Sequence, residues 1–549
     1  MRRLSLLAAL CAVIVATSSI SPTSANESSS SDDVGVLTTP DGGEVRVAFA
    51  NLNYTGVGRY VWQDGRSYAG EFVDGHPQGR GIEQRPDGSR YDGEWSDGAY
   101  DGSGSMTLAD GSRYDGQFEN GLRSGQGLFQ SDAGRYEGGW ADDVPQGDGR
   151  FDYTDGANYV GQWFSGRRNG YGVYRRGDGS NYEGDWLDDM PDGYGRLVES
   201  DDYTYEGAWS KGQRAGYGAM QIGGTFGYEG TWVSNMRQGF GREVRPDGGD
   251  YTGEWNSDQR EGTGRLQLPN GAFHDGLWEH NSPLGEGTRM SSEGIEFVGA
   301  WDGDFVSYGR VELRGGEQYD GKFYDAKRKL VDPAFLAWLE RVAGLGNPDA
   351  ALLLGQAYRF FLSPAPDRSK AIYWYTRAAD TGLAEAQYQL AEIMFEESST
   401  RQHGMELLIA AANQGHGAAN TRLGVFFQLG TYVGKDHARA QHFYEVATGQ
   451  GDLTARNNLA WLLATSPSAK LRDGTRAVTL AQPLAVLYDS WGYLDTLAAA
   501  QAEAGDFAAA SKTETKALAQ AEPDASAEAL HDLQHRLTLF QREEPYREP

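Results

Sequence analysis

The stretch YDGEWSDGAYDGSG, residues 91–104, holds four glycines, two tyrosines, one tryptophan and four acidic residues in fourteen positions. Glycine at this density is unfavourable inside a helix and adds nothing to an apolar core. Repetition accounts for it. The pattern Tyr-x-Gly-x-Trp centred on Gly93 returns around Gly70, Gly116, Gly138, Gly161, Gly184, Gly207, Gly230, Gly253, Gly276, Gly299 and Gly321, in steps of 23 residues nine times and 22 twice. A fixed period of this length is the mark of a repeat architecture.

Two residues before the central glycine stands Tyr in ten copies, replaced by His274 and Phe297 in the others. Two residues after it stands Trp in nine copies and Phe in three (Phe72, Phe118, Phe323). A Gly-x-Gly pair follows nine residues beyond the centre, as in Gly79/Gly81, Gly102/Gly104 and Gly170/Gly172, and only the last is degraded, to Ser307/Gly309. In a strand, residues i, i+2 and i+4 share one face. Tyr, Gly and Trp therefore point the same way, and a partner segment without side chains at two same-face positions leaves room for the rings. Asp-Gly and Asn-Gly, in PDG (86–88), ADG (109–111), TDG (154–156) and PNG (269–271), favour tight hairpin turns. Each unit is predicted to be one β-hairpin that hides its aromatic face only when stacked on its neighbours.

Tyr-x-Gly-x-Trp followed by Gly-x-Gly at this period resembles the MORN repeat, over about residues 54–325. The resemblance implies an elongated, twisted single-layer β-sheet. The ring pairs Tyr91/Trp95, Tyr159/Trp163, Tyr182/Trp186, Tyr205/Trp209, Tyr228/Trp232 and Tyr251/Trp255 are the repeat core, with a further role as a contact face. Residues flanking the central glycine fall on the other face and are acidic, including Asp92, Asp115, Glu137, Glu183, Glu206 and Glu229. That face is expected to be solvated and nearly the same in all twelve units.

From about residue 330 the period changes from 2 to 3.6, and 61 of the 76 glycines lie before residue 333. SKAIYWYTRAADTG (369–382), LAEAQYQLAEIMFE and the segments after them carry small and large apolar residues at helical spacing. Gly382, Gly415 and Gly451 close three helices 33 and 36 residues apart. The pattern resembles the Sel1-like repeat, a relative of the tetratricopeptide repeats, over about 347–451. ARNNLAWLLATSP (455–467) and the stretch from Trp491 to Ala521 look like tetratricopeptide helices, and a last amphipathic helix over about 526–541 is placed to cap the array. The fold class expected is thus β plus α in two repeat arrays: a single-layer β-hairpin array over 43–329 and an α-solenoid over 330–549.

Arg2, Arg3, the apolar run LSLLAALCAVIVA and the small residues ending at Ala25 read as a secretory signal peptide over 1–25, cleaved between Ala25 and Asn26. The run is too short for a membrane anchor, and Cys11, the single cysteine, follows Leu10 rather than the small residue a lipoprotein site needs. Residues 26–42, opening with NESSSSDD, read as a flexible leader. The chain is therefore expected to be exported, either periplasmic or secreted and associated with the cell envelope.

Sites for chemistry are not apparent. His437 and His442, five residues apart, do not share a helical face as a metal pair would, and no thiol remains to join them. The carboxylates recur at one repeat position, as scaffold does. No Gly-x-Gly continues into a phosphate-binding loop or a dinucleotide motif, and neither calcium repeat pattern is present. No enzyme activity, cofactor or metal is expected. The formal charge is −29, of which residues 333–549 carry −7 from 18 basic and 25 acidic side chains. Nucleic-acid binding needs basic stripes, so that class is excluded, and anionic lipid surfaces repel an acidic array. The function expected is a non-enzymatic scaffold with protein partners, held mainly by the helical half, with self-association open. The alternative is a membrane-lipid- or glycan-binding module that uses the Tyr/Trp rows.

Overall fold

A computed structural model describes residues 34–199, 203–224, 226–325, 330–361, 366–488, 490–521 and 525–548. The signal segment, with Ala25 and Asn26, lies outside the described residues. The first part of the chain is one open antiparallel sheet of 26 strands, from Val34–Thr38 to Gln318–Lys322. By packing the chain divides into two compact units. One comprises residues 34–199 with 204–216, the other Tyr203 with 217–548.

In the N-terminal unit the hairpin is the building block. Ser67–Val73 and His76–Gln84 pair antiparallel across Asp74-Gly75, which take φ of 49° and 83°. Positive φ at both central residues is the two-residue hairpin turn whose twist matches that of the strands. The tight turns therefore lie within the repeats, and not at PDG (86–88), where they were expected. PDG belongs to a longer connection, closed by Arg85 N–H to the Ser89 carbonyl (2.9 Å) and braced by Asp87, whose Oδ1 accepts from the Ser89 N–H (2.8 Å). Here only Gly88 needs the left-handed region.

The Gly-x-Gly pair divides its labour. The second glycine makes room: a Cβ on Gly104 would stand 2.5 Å from the Tyr91 ring. The first, Gly102 (φ 91°), sits where the register of Arg90–Ser96 against Ala99–Thr107 shifts by a bulge. The leader expected over 26–42 does not reach 42. Val34–Thr38 pairs with Glu44–Ala48 and with Gly56–Val61: VGVLT is rich in β-branched residues and turns Gly35 and Leu37 inward, where the Tyr60 hydroxyl accepts from the Gly35 N–H (2.9 Å).

In the C-terminal unit the hairpins continue to Gln318–Lys322, and a two-residue ribbon, Tyr324–Asp325 with Leu330–Val331, leads into the helices. These are α1 (Pro333–Gly344), α2 (Pro348–Gln356), α3 (Arg368–Ala379), α4 (Ala384–Met394), α5 (Arg401–Asn413), α6 (Gly417–Leu429), α7 (His437–Gly449), α8 (Leu453–Thr465), α9 (Gly474–Tyr488), α10 (Trp491–Glu503), α11 (Phe507–Ala521) and α12 (Ala527–Gln541). Asp332, Asn347, Asp367, Asp436 and Asp452 cap α1, α2, α3, α7 and α8 with their side-chain oxygens. Gly382, Gly415 and Gly451 follow α3, α5 and α7 with φ between 81° and 89°. The last strands and first helices share one core: Val311, Leu313 and Phe323 pack with Phe335, Leu339 and Val342. The change of composition at 330 is therefore not a boundary of packing.

Candidate interaction surfaces

The aromatic rows come first. Tyr91, Tyr159, Tyr182, Tyr205, Tyr228 and Tyr251 are 0–2% exposed, and Trp95, Trp163, Trp186, Trp209, Trp232 and Trp255 are 2–7% exposed. Each ring is held edge-on by the next. Tyr159 lies 5.3 Å from Trp163 and 5.5 Å from Trp186, and Tyr182 lies 5.1 Å from Trp186 and 5.4 Å from Trp209, all T-shaped. The polar tips are used as well. The Tyr159 hydroxyl donates to the Gln162 carbonyl (3.0 Å), and Trp186 Nε1–H donates to the Gly172 carbonyl (3.2 Å). These rows are a core, and they leave no ring face on which a glycan or lipid can stack. His274, in a tyrosine position, is buried between Trp278 and Trp301. Burial, followed by the nearby Arg289 guanidinium, pushes it down to about 4.

One coupling escaped the sequence reading. Two residues before each Gly-x-Gly stands either Arg or one of Pro and Tyr, and the choice dictates the turn of the following hairpin. Arg168 is buried, stacks 4.5 Å over Trp186, and donates from its backbone N–H and its Nε–H to Asp189 Oδ1, both at 3.0 Å. Arg123 with Asp143, Arg237 with Asp258, and Arg260 with Asn281 repeat the arrangement. Where Pro77, Tyr100, Pro145, Pro191 or Pro283 stands instead, the turn residue is Gly98, Gly121, Gly166, Gly212 or Gly303. The signal was available as an Arg-to-Asp/Asn spacing of 20 or 21 residues.

The opposite face is not uniform. The middle residue of Gly-x-Gly is Arg80, Ser103, Gln126 and Asp148 in early repeats, but Tyr171 and Tyr194 in later repeats of the N-terminal unit. In the C-terminal unit Tyr217, Phe240 and Tyr308 occupy the same position. All five are 51–64% exposed. The phenols of Tyr171, Tyr194 and Tyr217 donate to Glu183, Glu206 and Glu229, the last two at 3.1 Å and 2.6 Å. Those bonds hold the three phenols above their ordinary range, so they stay protonated donors. The expectation of one acidic face repeated twelve times fails at these repeats, because the position between two glycines points outward and is free to vary. Exposed aromatics of this kind are over-represented where proteins meet partners.

A second surface lies within the C-terminal unit. A groove of about 1010 Å³ has one wall made of β turns, at 247, 268–270, 292–293 and 314–315, and the other made of interhelix turns, at 347–349, 381–385, 414–418 and 450–452. Its ends are pinned. Arg314 pairs with the buried Asp349, and Arg456 Nη1–H donates to the Pro246 carbonyl at 3.1 Å. A Cβ on Gly451 would stand 2.4 Å from the Asp247 carbonyl oxygen. Between the ends, His416 Nδ1 accepts from the Ala419 N–H (3.2 Å), which directs its Nε2–H to Glu385 at 2.7 Å. From 314 to 247 the β turns advance three repeats, and from 349 to 451 the helices also advance three. The two arrays run antiparallel, one hairpin to one helical repeat. Among the described residues no three His, Cys, Asp or Glu side chains converge as a metal cage, and no helix is long and apolar enough to cross a membrane.

No curated protein is significantly similar to the chain. Among solved structures, a protective antigen of uropathogenic Escherichia coli with an SLR fold is 21% identical, with a TM-score of 0.29 over 33% of this chain and 40% of that one. A Sel1 repeat protein of Oxalobacter formigenes is 24% identical, with a TM-score of 0.26 over 30% of this chain and 65% of that one. The chain thus spans less than two thirds of either. The MORN repeat family matches at residues 68–90, 91–113, 114–134, 136–157, 159–181, 182–198, 205–222, 228–250 and 251–273. The Sel1 repeat family matches at 348–383, 384–416 and 417–452. Both are typical of protein-interaction modules, and the chain is a repeat protein in which nine MORN repeats precede three Sel1 repeats.

Proposed function

We propose that the chain is a non-enzymatic scaffold that is exported and holds protein partners at the cell envelope. The observation that carries this reading is the set of exposed aromatics on the β face, Tyr171 and Tyr194 in one unit and Tyr217 and Phe240 in the other. They are large rings outside the core, three of them held by carboxylates, at a position the fold does not need filled. The helical array contributes the second surface, through the groove and through side chains that differ from repeat to repeat. Export is supported by the basic, apolar and small-residue order of residues 1–25. The burial of the Tyr/Trp rows and the charge of −29 weigh against lipid or glycan binding.

The test uses the full chain, crosslinked in envelope preparations. Tyr171→Ser/Tyr194→Ser and Tyr217→Ser/Phe240→Ser are each expected to lower partner recovery by about tenfold with unchanged circular dichroism. The helical surface pair Tyr373→Ser/Ile409→Ser reports how much the helices contribute. Recovery unaffected by all three pairs would reject the scaffold reading. A mature protein still beginning at Met1, rather than at Asn26, would reject export with cleavage.

A further inference from the structure

We propose that Tyr171 and Tyr194 receive a basic polyproline-II segment of a partner protein, with Lys or Arg at every third residue, lying across the strands. The inference rests on the scaffold reading and adds the chemistry of the partner. The two tyrosines stand on Arg167–Arg175 and Met190–Val198, with Asn181–Leu187 between them. Tyr171 is paired with Asp185, and the Asp185 carboxylate accepts the backbone N–H of Tyr194 at 2.9 Å. The rings are therefore at one level, two strands apart, a separation of about 9.6 Å at ~4.8 Å per strand.

That distance selects a backbone. A polyproline-II helix rises ~3.1 Å per residue with three residues per turn, so every third side chain returns to the same side after about 9.3 Å. A β-strand repeats its side after about 6.7 Å, and misses the spacing. An α-helix repeats its side after seven residues, about 10.5 Å, and overshoots it.

The charges select the side chains. Glu183 and Glu206 accept from the two phenols and are exposed, and Asp185, on the same strand as Glu183, lies between the strands that carry the two tyrosines. Arg196, 3.9 Å from Glu206 and cross-strand from Glu183, brings one guanidinium to this face, which leaves the carboxylates in excess. A Lys or Arg head set on each ring meets a π face and a carboxylate together. Beside Tyr171, the cross-strand pair Val160 and Val173, with Val160 42% exposed, offers aliphatic surface to the intervening prolyl rings. In the C-terminal unit Phe240 has Thr252 where an acid would stand, so Phe240 lacks half of this receptor.

The experiment titrates the full chain with synthetic peptides of equal arginine number at about 150 mM salt. One repeats Pro-Pro-Arg, one clusters its arginines at an end, and one is an Ala-rich helix with Arg at every seventh residue. The period-three peptide is expected to bind about tenfold more tightly than the clustered one, as two matched sites require. Tyr171→Ser/Tyr194→Ser and Glu183→Gln/Glu206→Gln should each abolish that preference without changing circular dichroism. Equal binding of the period-three and clustered peptides, a preference for the helix, or a preference that survives both double substitutions would overturn the inference. Such a result with partner recovery still dependent on the aromatics would leave the scaffold reading standing. Recovery unaffected by those aromatics and by the helical pair alike would reject that reading separately.

Discussion

Arg168 shows how much one side chain carries in this fold. Its guanidinium covers the Trp186 ring and satisfies the turn at Asp189, and the ion pair is shielded from water, with the Arg side chain 2% exposed. Removing one partner of such a pair leaves a buried charge and costs about 3–5 kcal/mol. Arg168→Pro alone should therefore lower stability by about 3 kcal/mol in denaturant melts. Adding Asp189→Gly, which recreates the Pro-Gly combination of Pro145 and Gly166, should recover most of it; a double variant no better than the single would refute the coupling. His274 gives a second test. Its position favours a tyrosine, whose hydroxyl elsewhere reaches the carbonyl three residues on, as Tyr251 reaches Glu254 at 3.1 Å. Its folded value near 4 lies below that of an exposed histidine. Between about pH 6.5 and 4 the unfolded chain takes up a proton that the folded chain refuses, so stability falls as pH falls through that window. His274→Tyr should raise the melting temperature, and by more at pH 5 than at pH 7.5.

At the scale of the element, three helices meet over charge. Arg536 on α12 donates from Nε and Nη2 to both carboxylate oxygens of Asp495 on α10, at 2.7 and 3.0 Å, and lies 3.6 Å from Glu514 on α11. Burial, then the Asp495 carboxylate, raises Glu514 to about 9. Glu514 therefore keeps a proton that the unfolded chain loses near 4.5. Stability falls as pH rises between those values, since the unfolded state binds fewer protons there. Glu514→Gln should remove this slope, raising the melting temperature at pH 8.5 more than at pH 5; parallel shifts at both would refute it. Elements were largely legible in the sequence. The 23-residue period gave the hairpins, and Gly382, Gly415 and Gly451 gave the helix ends, because both signals are local and repeated. The division of Gly-x-Gly into a bulge and a ring seat was not legible, since either role asks for glycine. The strand at Val34–Thr38 was hidden by the acidic and serine-rich run before it. Of the candidate surface, the buried Tyr/Trp rows were read, while the exposed tyrosines were overlooked because they sit at the variable position of a conspicuous motif.

At the scale of the whole molecule, packing and composition divide the chain differently. The glycine-rich part ends near 330, but Phe323 and Phe335 share a core, Gly451 abuts Asp247, and Pro483 lies beside Gly223. Contacts separated by some 200 residues leave no trace in a local pattern. A fragment beginning at Phe226 and running to the C-terminus is expected to melt cooperatively. One beginning at Pro333 should expose Phe335 and Leu339 and bind a hydrophobic dye. Equal stability of the two would show that the helices fold without the β turns.

The pairing of one β hairpin with one helical repeat makes the C-terminal unit a pair of meshed racks cut to the same pitch. A tooth lost from either rack throws every later tooth out of step, so deleting residues 384–416, one Sel1 unit, would shift the turn at 451 away from Asp247 by a whole notch. Length in this unit can change only in paired increments, and a lineage that lengthened the β array here would have to lengthen the helical array with it.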